Sequence, residues 1–220
     1  MTAVTFIMPV RHPQGVRDPE DQQRILGQTL RSVAAQRGAD WRLRIICNPE
    51  QRLPPLPARA ERVEVDFDPV PRRLAEAATD MAGVYAPFNF DRGRRIQAGA
   101  AGLGPEDVVM PIDDDDFLHR RLAAHLAASA ARGGSAWLAG PGYVLRDGAW
   151  LMRRASAPCH RFMGTSVAFR MRRIAGLGDP SPSPETIRDV GGHGRTAERL
   201  LADPEGAEIL PFASVIYRVD

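Results

Sequence analysis

The chain has 220 residues, of which 44% are hydrophobic and 25% are charged, and its 29 basic and 27 acidic residues give a net charge of +2. These values are ordinary for a globular protein and exclude a disordered, collagen-like or coiled-coil chain. No apolar run approaches the roughly 18 residues of a membrane span, so we expect no transmembrane segment. The near balance of charge argues against a dedicated nucleic-acid-binding protein, although every basic residue is an arginine.

The cysteines and the N-terminus favour a cytoplasmic protein. Cys47 and Cys159 are too few for a disulfide framework or a cysteine-only zinc site. Residues 1–9 lack the basic and long apolar segments of a signal peptide and are typical of a first strand. We therefore expect a cytoplasmic protein, and at roughly 100–200 residues per domain we expect a single domain over 1–220.

Strands and helices alternate through the first half of the chain. Short apolar runs predict buried strands at 4–8, 41–47, 63–67 and 108–112. Helix-start signals and apolar faces predict helices that begin at Asp18, Pro71, Asp91 and close to Leu118. This order is typical of a mostly parallel sheet with helices on both faces. Pro111 in the last strand requires either a bulge or an unpaired N–H side.

The second half has a different pattern. Short strands are predicted at 136–139, 143–145, 149–152 and 164–170, with a hairpin turn at Asp147-Gly148. Residues 178–194 are rich in glycine and proline and predict a loop, followed by a helix over 196–201 and a closing strand over 209–217. We expect these strands to form a smaller mixed sheet.

The most informative feature is the run of four aspartates, Asp113–Asp116, directly after the 108–112 strand. Adjacent like charges repel by about 1 kcal/mol even in water, and a divalent cation with oxygen ligands removes that cost. Ligand sites of open α/β sheets lie outside the carboxyl ends of the strands, where this run is predicted. The alternative is that Asp115 or Asp116 only caps the following helix.

Four segments in the same order resemble the GT-A-fold nucleotide-sugar glycosyltransferases, in particular glycosyltransferase family 2. Residues 5–11 resemble the first strand and nucleotide loop, and residues 29–36 the first helix. Residues 112–118 resemble the metal-binding D-x-D-D stretch, and residues 164–170 the strand before the acceptor loop. The resemblance implies a GT-A-like α/β fold, with a nucleotide-sugar-binding half over 1–116 and an acceptor half over 117–220.

The resemblance also implies the chemistry: transfer of a hexose or deoxyhexose from a nucleoside-diphosphate sugar to an acceptor hydroxyl, with Mn²⁺ or Mg²⁺ bridging the diphosphate. Asp113 would contact the nucleoside and Asp115 the metal. Arginines that open the 91 helix would neutralise phosphate, unless they only form a solvated face of paired charges. The donor-binding residues implied in this way are Pro9, Arg11, Asn48, Asp91, Arg94, Arg95, Asp113 and Asp114. The implied metal ligands are Asp115, Asp113 and His193.

The chain departs from the family at two places. Asn48 stands where the family often has an acidic residue that binds the base, and Gly192-His193 stands where a Glu-Asp pair is common. His193 is therefore a candidate base or additional metal ligand, and Asp189 is the competing base. The alternatives are a nucleotidyltransferase, disfavoured because proline replaces a glycine-rich loop after the first strand, and a nucleotide-sugar-binding module without turnover.

Overall fold

A seven-stranded sheet forms the centre of the molecule in a computed structural model that describes residues 3–16, 18–70, 79–146, 153–154 and 159–219. The strands in chain order are β1 (Val4–Pro9), β2 (Trp41–Cys47), β3 (Ala60–Glu64), β4 (Val108–Pro111), β5 (Phe117–Leu118), β6 (Ala136–Ala139), β7 (Tyr143–Arg146), β8 (Arg153–Arg154), β9 (Val167–Arg170), β10 (Glu208–Leu210) and β11 (Val215–Val219). The central sheet has the order β10-β6-β9-β4-β1-β2-β3. Only β9 runs antiparallel to its neighbours β4 and β6.

Helices cover both faces of this sheet. They are α1 (Pro19–Ala34), α2 (Met81–Ala100), α3 (Leu122–Ala131), α4 (Pro184–Gly191) and α5 (His193–Ala202). Alternate residues of each strand face opposite ways, so Phe6 and Met8 pack with α1 and α3 while Ile7 packs with α2, α4 and α5. Within the described residues, no helix is both long and apolar enough to cross a membrane.

A second sheet, with the order β5-β11-β7-β8, lies in the C-terminal half. It is mixed, because β11 runs parallel to β7 but antiparallel to β5. The expected α/β class, with a mostly parallel central sheet and a smaller mixed sheet, is therefore confirmed. The predicted turn at Asp147-Gly148 and the predicted strand at 149–152 lie outside the described residues.

The proline in β4 is accommodated by an unpaired N–H side. The Ile112 N–H donates to the Ile7 carbonyl at 2.9 Å, so alternation turns the Pro111 nitrogen toward β9. On β4, the residues that pair with β9 are Val108 and Val109. Pro111 therefore lies beyond the last β9 pair, where a missing donor costs nothing.

Three predicted elements were wrong in their bounds. Helix α2 begins at Met81 rather than at Asp91: the Asp80 side chain accepts the Gly83 N–H at 2.7 Å, and Pro87 lies inside the helix. The helix predicted to begin at Pro71 lies mostly outside the described residues. Strand β3 covers 60–64 instead of 63–67. Leu118 belongs to a strand, and α3 begins only at Leu122.

Two predictions in the last third were also wrong. Residues 184–191 of the predicted loop are helical, because Ser183 caps α4 by accepting the Thr186 N–H at 3.0 Å and Pro184 occupies the first turn. The predicted closing strand is two strands in different sheets, separated around Pro211. Its first part extends the central sheet beside β6, and its second part pairs with β5 and β7.

Candidate functional site

The strand order reverses between β1 and β4. Strand β1 pairs with both β2 and β4 in parallel, and the chain proceeds through β2 and β3 on one side before it returns to β4 on the other. Loops that leave adjacent strands in opposite directions leave a crevice at their carboxyl ends, and ligands of open α/β sheets bind there. Residues after Pro9 and after Pro111 border this crevice.

A cavity of about 360 Å³ occupies the crevice. One wall comes from the segment after β1, another from the acidic run after β4, and a third from the first half of α2. The lining residues are Pro9, Arg11, His12, Gly15, Val70, Tyr85, Phe88, Asn89, Asp91, Arg92, Arg95, Asp113, Asp114, Asp115 and Tyr217. The structure thus brings together six of the eight residues expected to bind the donor, together with Asp115.

The four aspartates are held in different ways. The Asp113 N–H donates to Thr165 Oγ1 at 2.7 Å, which fixes the chain as it leaves β4. Asp113, Asp114 and Asp115 are half-buried and line the cavity. Asp116 points away into the protein: it is 1% exposed, its Oδ1 accepts the Arg218 N–H at 3.1 Å, and its Oδ2 has no hydrogen-bond partner.

Burial and mutual repulsion make this run hard to ionise. Burial, and then the charges of Asp114, Asp116 and Asp113, raise the pKa of Asp115 to about 9. Burial and the charge of Asp113 raise the pKa of Asp116 to about 8. The pKa of Asp114 is also raised, mainly by burial, although the Arg11 charge opposes this. The site therefore has more acidic side chains than the neighbouring cations can neutralise.

Arg92 is the cation that contacts the acidic run directly. Its Nε lies 2.8 Å from Asp113 Oδ1, and the two side chains are 15% and 26% exposed. Its other nitrogens donate to the carbonyl of Gly164 at 3.0 Å and to those of Val190 and Gly191, at the end of α4, at 3.2 Å. Arg92 therefore joins β4, the segment before β9 and α4 at one wall of the cavity.

A second network lies behind the cavity and involves most of the arginines expected on the donor side. Asp91 accepts from Arg94 at 2.6 Å and from Arg95 at 2.8 Å. Arg95 also donates to Asn48 Oδ1 at 2.8 Å, and Asn48 Nδ2 donates to the Phe67 carbonyl. Arg95 is 1% exposed and lines the cavity, with Nη1 unpartnered. Asn48 supports it from behind, and neither Asn48 nor Arg94 lines the cavity.

Arg11 also lines the cavity. It is exposed, and within the described part of the chain it has neither a hydrogen bond nor an ion pair. Its positive charge nevertheless acts on Asp114 and Asp115. An arginine fork that is free at the mouth of a crevice is suited to bind a phosphate oxygen pair.

The acidic side chains of the cavity suit a divalent cation whose coordination shell is completed by substrate phosphates and water. Among the described residues, no three histidine, cysteine or acidic side chains converge as a metal cage. Magnesium-type sites, however, commonly use one or two carboxylates and complete their shell with substrate phosphates and water. Asp114 and Asp115 line the cavity and form no salt bridge with any residue that the structure describes, so they match that arrangement, whereas Asp113 is already paired with Arg92.

Of the two candidate bases, the structure describes the side chain of Asp189 and not that of His193. Asp189 lies on α4, and its carboxylate is paired with Arg199 at 2.9 Å and Arg195 at 3.9 Å. It does not line the cavity. His193 is the first residue of α5, and its side chain lies outside what the structure describes. The roles of both residues remain predictions.

Sequence reasoning missed several residues of the cavity wall, among them Arg92, Tyr85, Phe88 and Tyr217. Because α2 was predicted to begin at Asp91, Tyr85 and Phe88 were assigned to a loop. The capping aspartate at 80, three residues before Gly83, was the signal available. No local signal pointed to Arg92, whose contacts come from segments 21 to 99 residues away.

No protein-family model and no curated protein sequence matches the chain, but solved structures do. The structure of S. aureus TarS 1-349 in complex with UDP has a TM-score of 0.56 and 10% identity over 99% of this chain and 61% of that one. S. aureus TarS has a TM-score of 0.52 and 11% identity over 100% and 37%. Mouse xyloside xylosyltransferase 1 has a TM-score of 0.48 and 11% identity over 95% and 84%.

The chain therefore spans about three fifths of TarS 1-349. At 10% identity the likeness concerns the fold alone. It agrees with the topology described above: a β4-β1-β2 switch point with an acidic run after β4. The chain has a GT-A-like glycosyltransferase fold, as its sequence resemblance implied.

Proposed function

We propose that the protein transfers a sugar from a nucleoside-diphosphate sugar to an acceptor hydroxyl. One observation carries the proposal: three acidic side chains, Asp113, Asp114 and Asp115, and Arg11, which has no ion pair among the described residues, line one crevice of about 360 Å³ at the switch point of a GT-A-like fold. The crevice therefore offers a positive group for an anion and acidic groups for a cation. A diphosphate that brings a divalent cation satisfies both.

The donor would lie with its diphosphate between Arg11 and the acidic run. Arg11 binds phosphate oxygens, and Asp114 and Asp115 hold the Mn²⁺ or Mg²⁺ ion. Asp113, which is held by Arg92 and by Thr165, faces the nucleoside. When bound, the ion supplies Lewis acidity for the departing diphosphate.

In the reaction, the bond between the anomeric carbon and the diphosphate oxygen breaks, and the diphosphate leaves with the electron pair. A bond forms between that carbon and the acceptor oxygen, whose proton passes to a base. Of the two candidate bases, His193 is the better, because the Asp189 carboxylate already accepts from Arg199. The sugar is expected to be a hexose or deoxyhexose.

Calorimetric titration with UDP, GDP, CDP and ADP, with and without Mn²⁺, tests the proposal. We expect at least one diphosphate to bind in a metal-dependent manner. Asp115→Asn should abolish the metal dependence, and Arg11→Gln should weaken binding about tenfold or more, as expected for a lost charge-assisted contact of 1.5–3 kcal/mol. Asp179→Asn, at an exposed aspartate outside the cavity, is the matched control.

The proposal fails if no nucleoside diphosphate binds, or if Asp115→Asn binds with the same metal dependence as Asp179→Asn. Hydrolysis of the matching nucleotide sugar in the absence of acceptor then separates an enzyme from a binding module. A transferase should release free sugar slowly, and Asp115→Asn should release none.

A further inference from the structure

Three aromatic side chains line the cavity, and the donor contacts proposed above use none of them. Tyr85 and Phe88 lie in the first half of α2, and Tyr217 lies on β11. Tyr85 is 53% exposed, and it is the most exposed large hydrophobic side chain in the described part of the chain. Tyrosine has an apolar ring and a polar tip and is enriched at binding surfaces, and here two tyrosines and a phenylalanine line one crevice.

The aromatic wall adjoins the acidic run. Tyr217 packs edge-to-face on Phe162, with ring centroids 5.9 Å apart, which fixes its ring. Tyr217 lines the same cavity as Asp113, Asp114 and Asp115. A ligand on this wall is therefore next to the place where the sugar would be transferred.

The charges at this wall restrict what can bind there. Two arginines of the cavity lining already have partners, Arg92 in Asp113 and Arg95 in Asp91 and Asn48, so they are not free to bind a phosphorylated or carboxylated acceptor. The tyrosine hydroxyls are polar and disfavour an alkyl chain. A neutral sugar ring suits both conditions, since its C–H face packs on an aromatic ring while its hydroxyls bind polar groups at the edge.

We propose that Tyr85 and Tyr217 form an acceptor subsite for a neutral saccharide, with Tyr85 as the stacking surface. The proposal rests on the sugar-transfer function proposed above and names its acceptor class. Trp137 and Tyr143, which also carry aromatic rings in the C-terminal half, are not part of this surface. Trp137 is fully buried and donates to Ser129 Oγ, and Tyr143 does not line the cavity; Trp150 lies outside the described residues.

The test is a ligand-observed NMR titration of the protein saturated with Mg²⁺ and with the nucleoside diphosphate, UDP or another, that binds in the calorimetric titration. The probes are methyl glycosides of glucose, galactose, mannose, xylose, rhamnose and N-acetylglucosamine, with glycerol 3-phosphate as the anionic comparison. Tyr85→Ala removes the ring, and Tyr85→Phe keeps it. Tyr143→Ala is the matched control, because Tyr143 is also an exposed tyrosine, at 38%, but lies outside the cavity lining.

We expect at least one neutral glycoside to bind more tightly than glycerol 3-phosphate. Tyr85→Ala should weaken that binding about tenfold, which corresponds to about 1.4 kcal/mol, while Tyr85→Phe and Tyr143→Ala stay close to the parent protein. The affinity for the nucleoside diphosphate should be the same in the parent protein and in the three variants.

Three results overturn the inference: no glycoside binds, glycerol 3-phosphate binds best, or Tyr85→Ala binds the glycoside as well as Tyr143→Ala does. Failure of the underlying function is recognised separately. In that case UDP and the other nucleoside diphosphates do not bind to the parent protein, whereas in the three results above a nucleoside diphosphate still binds with Mn²⁺.

Discussion

Arg92→Gln should destabilise the protein far more than the loss of an ordinary surface salt bridge. The substitution removes an ion pair with Asp113 whose partners are only 15% and 26% exposed, and it leaves three carbonyls, of Gly164, Val190 and Gly191, without that donor. Exposed pairs contribute about 0.2–1 kcal/mol, whereas breaking a buried pair costs about 3–5 kcal/mol. For this half-buried pair we expect a loss of about 3 kcal/mol.

Thermal and urea denaturation measure this loss. In a domain of this size, about 3 kcal/mol lowers the Tm by about 6–12 °C. Arg24→Gln is the matched control, since Arg24 forms an exposed pair with Asp21, and it should shift the Tm by no more than about 4 °C. Arg92→Lys should lie between the two, because a lysine can neutralise Asp113 but lacks the planar fork. If Arg92→Gln and Arg24→Gln unfold alike, the assignment of Arg92 as the link between β4 and α4 is wrong.

Three further predictions follow from the packing and charges around the site. Gly93→Ala should lower the free energy of unfolding by at least about 1–3 kcal/mol, because the new Cβ would lie 2.0 Å from a backbone oxygen of α4. Gly194→Ala, whose Cβ would meet nothing within 4 Å, should be neutral or stabilising by up to about 1 kcal/mol. Urea denaturation of both variants checks this contrast, and equal losses would contradict it. Because the pKa values of Asp115 and Asp116 are raised to about 9 and about 8, the folded metal-free protein holds these protons more tightly than the unfolded chain does. Its free energy of unfolding should therefore fall as pH rises from about 4 to about 9, and it should fall less in Asp116→Asn. A rise in stability over that pH range would refute the assignment. Asp189→Asn should bind UDP and Mn²⁺ as the parent protein does, because its carboxylate lies outside the cavity lining, and calorimetry that shows weaker metal-dependent binding would return it to the site.

Much of the fold is predictable from short segments because each one carries its own signal. The strands β1, β2, β4, β6 and β9 are apolar runs bounded by turn residues, and they were predicted close to their observed positions. The errors occur where two local signals compete. Pro87 argued for a loop, but a proline in a helix is tolerated when packing compensates for the lost hydrogen bond, and Ile96 and Ala100 of α2 are fully buried.

The same competition explains the missed helix α4. The glycine and proline content of residues 178–194 argued for a loop, although Ser183-Pro184-Glu185 is an N-cap followed by a proline and an acid in the first turn. Gly191 does not mark a loop: it lies in α4, where the lack of a side chain lets this helix pack closely on α2. A Cβ there would lie 1.8 Å from the Asn89 carbonyl, so this glycine permits close approach of α4 to α2.

The sequence alone determined the acidic run, its position after a strand and the location of the candidate site at the switch point. These features depend only on neighbouring residues and on the alternation of strands and helices. Which side chains share the cavity was decided only by tertiary structure. Arg92 reaches Asp113 because α2 packs beside β4, and Asn48 reaches Arg95 rather than the cavity because β2 ends behind it. Hydrogen bonds between segments depend on helix rotation and on the approach of backbones, and these follow from packing of the whole core rather than from any local pattern.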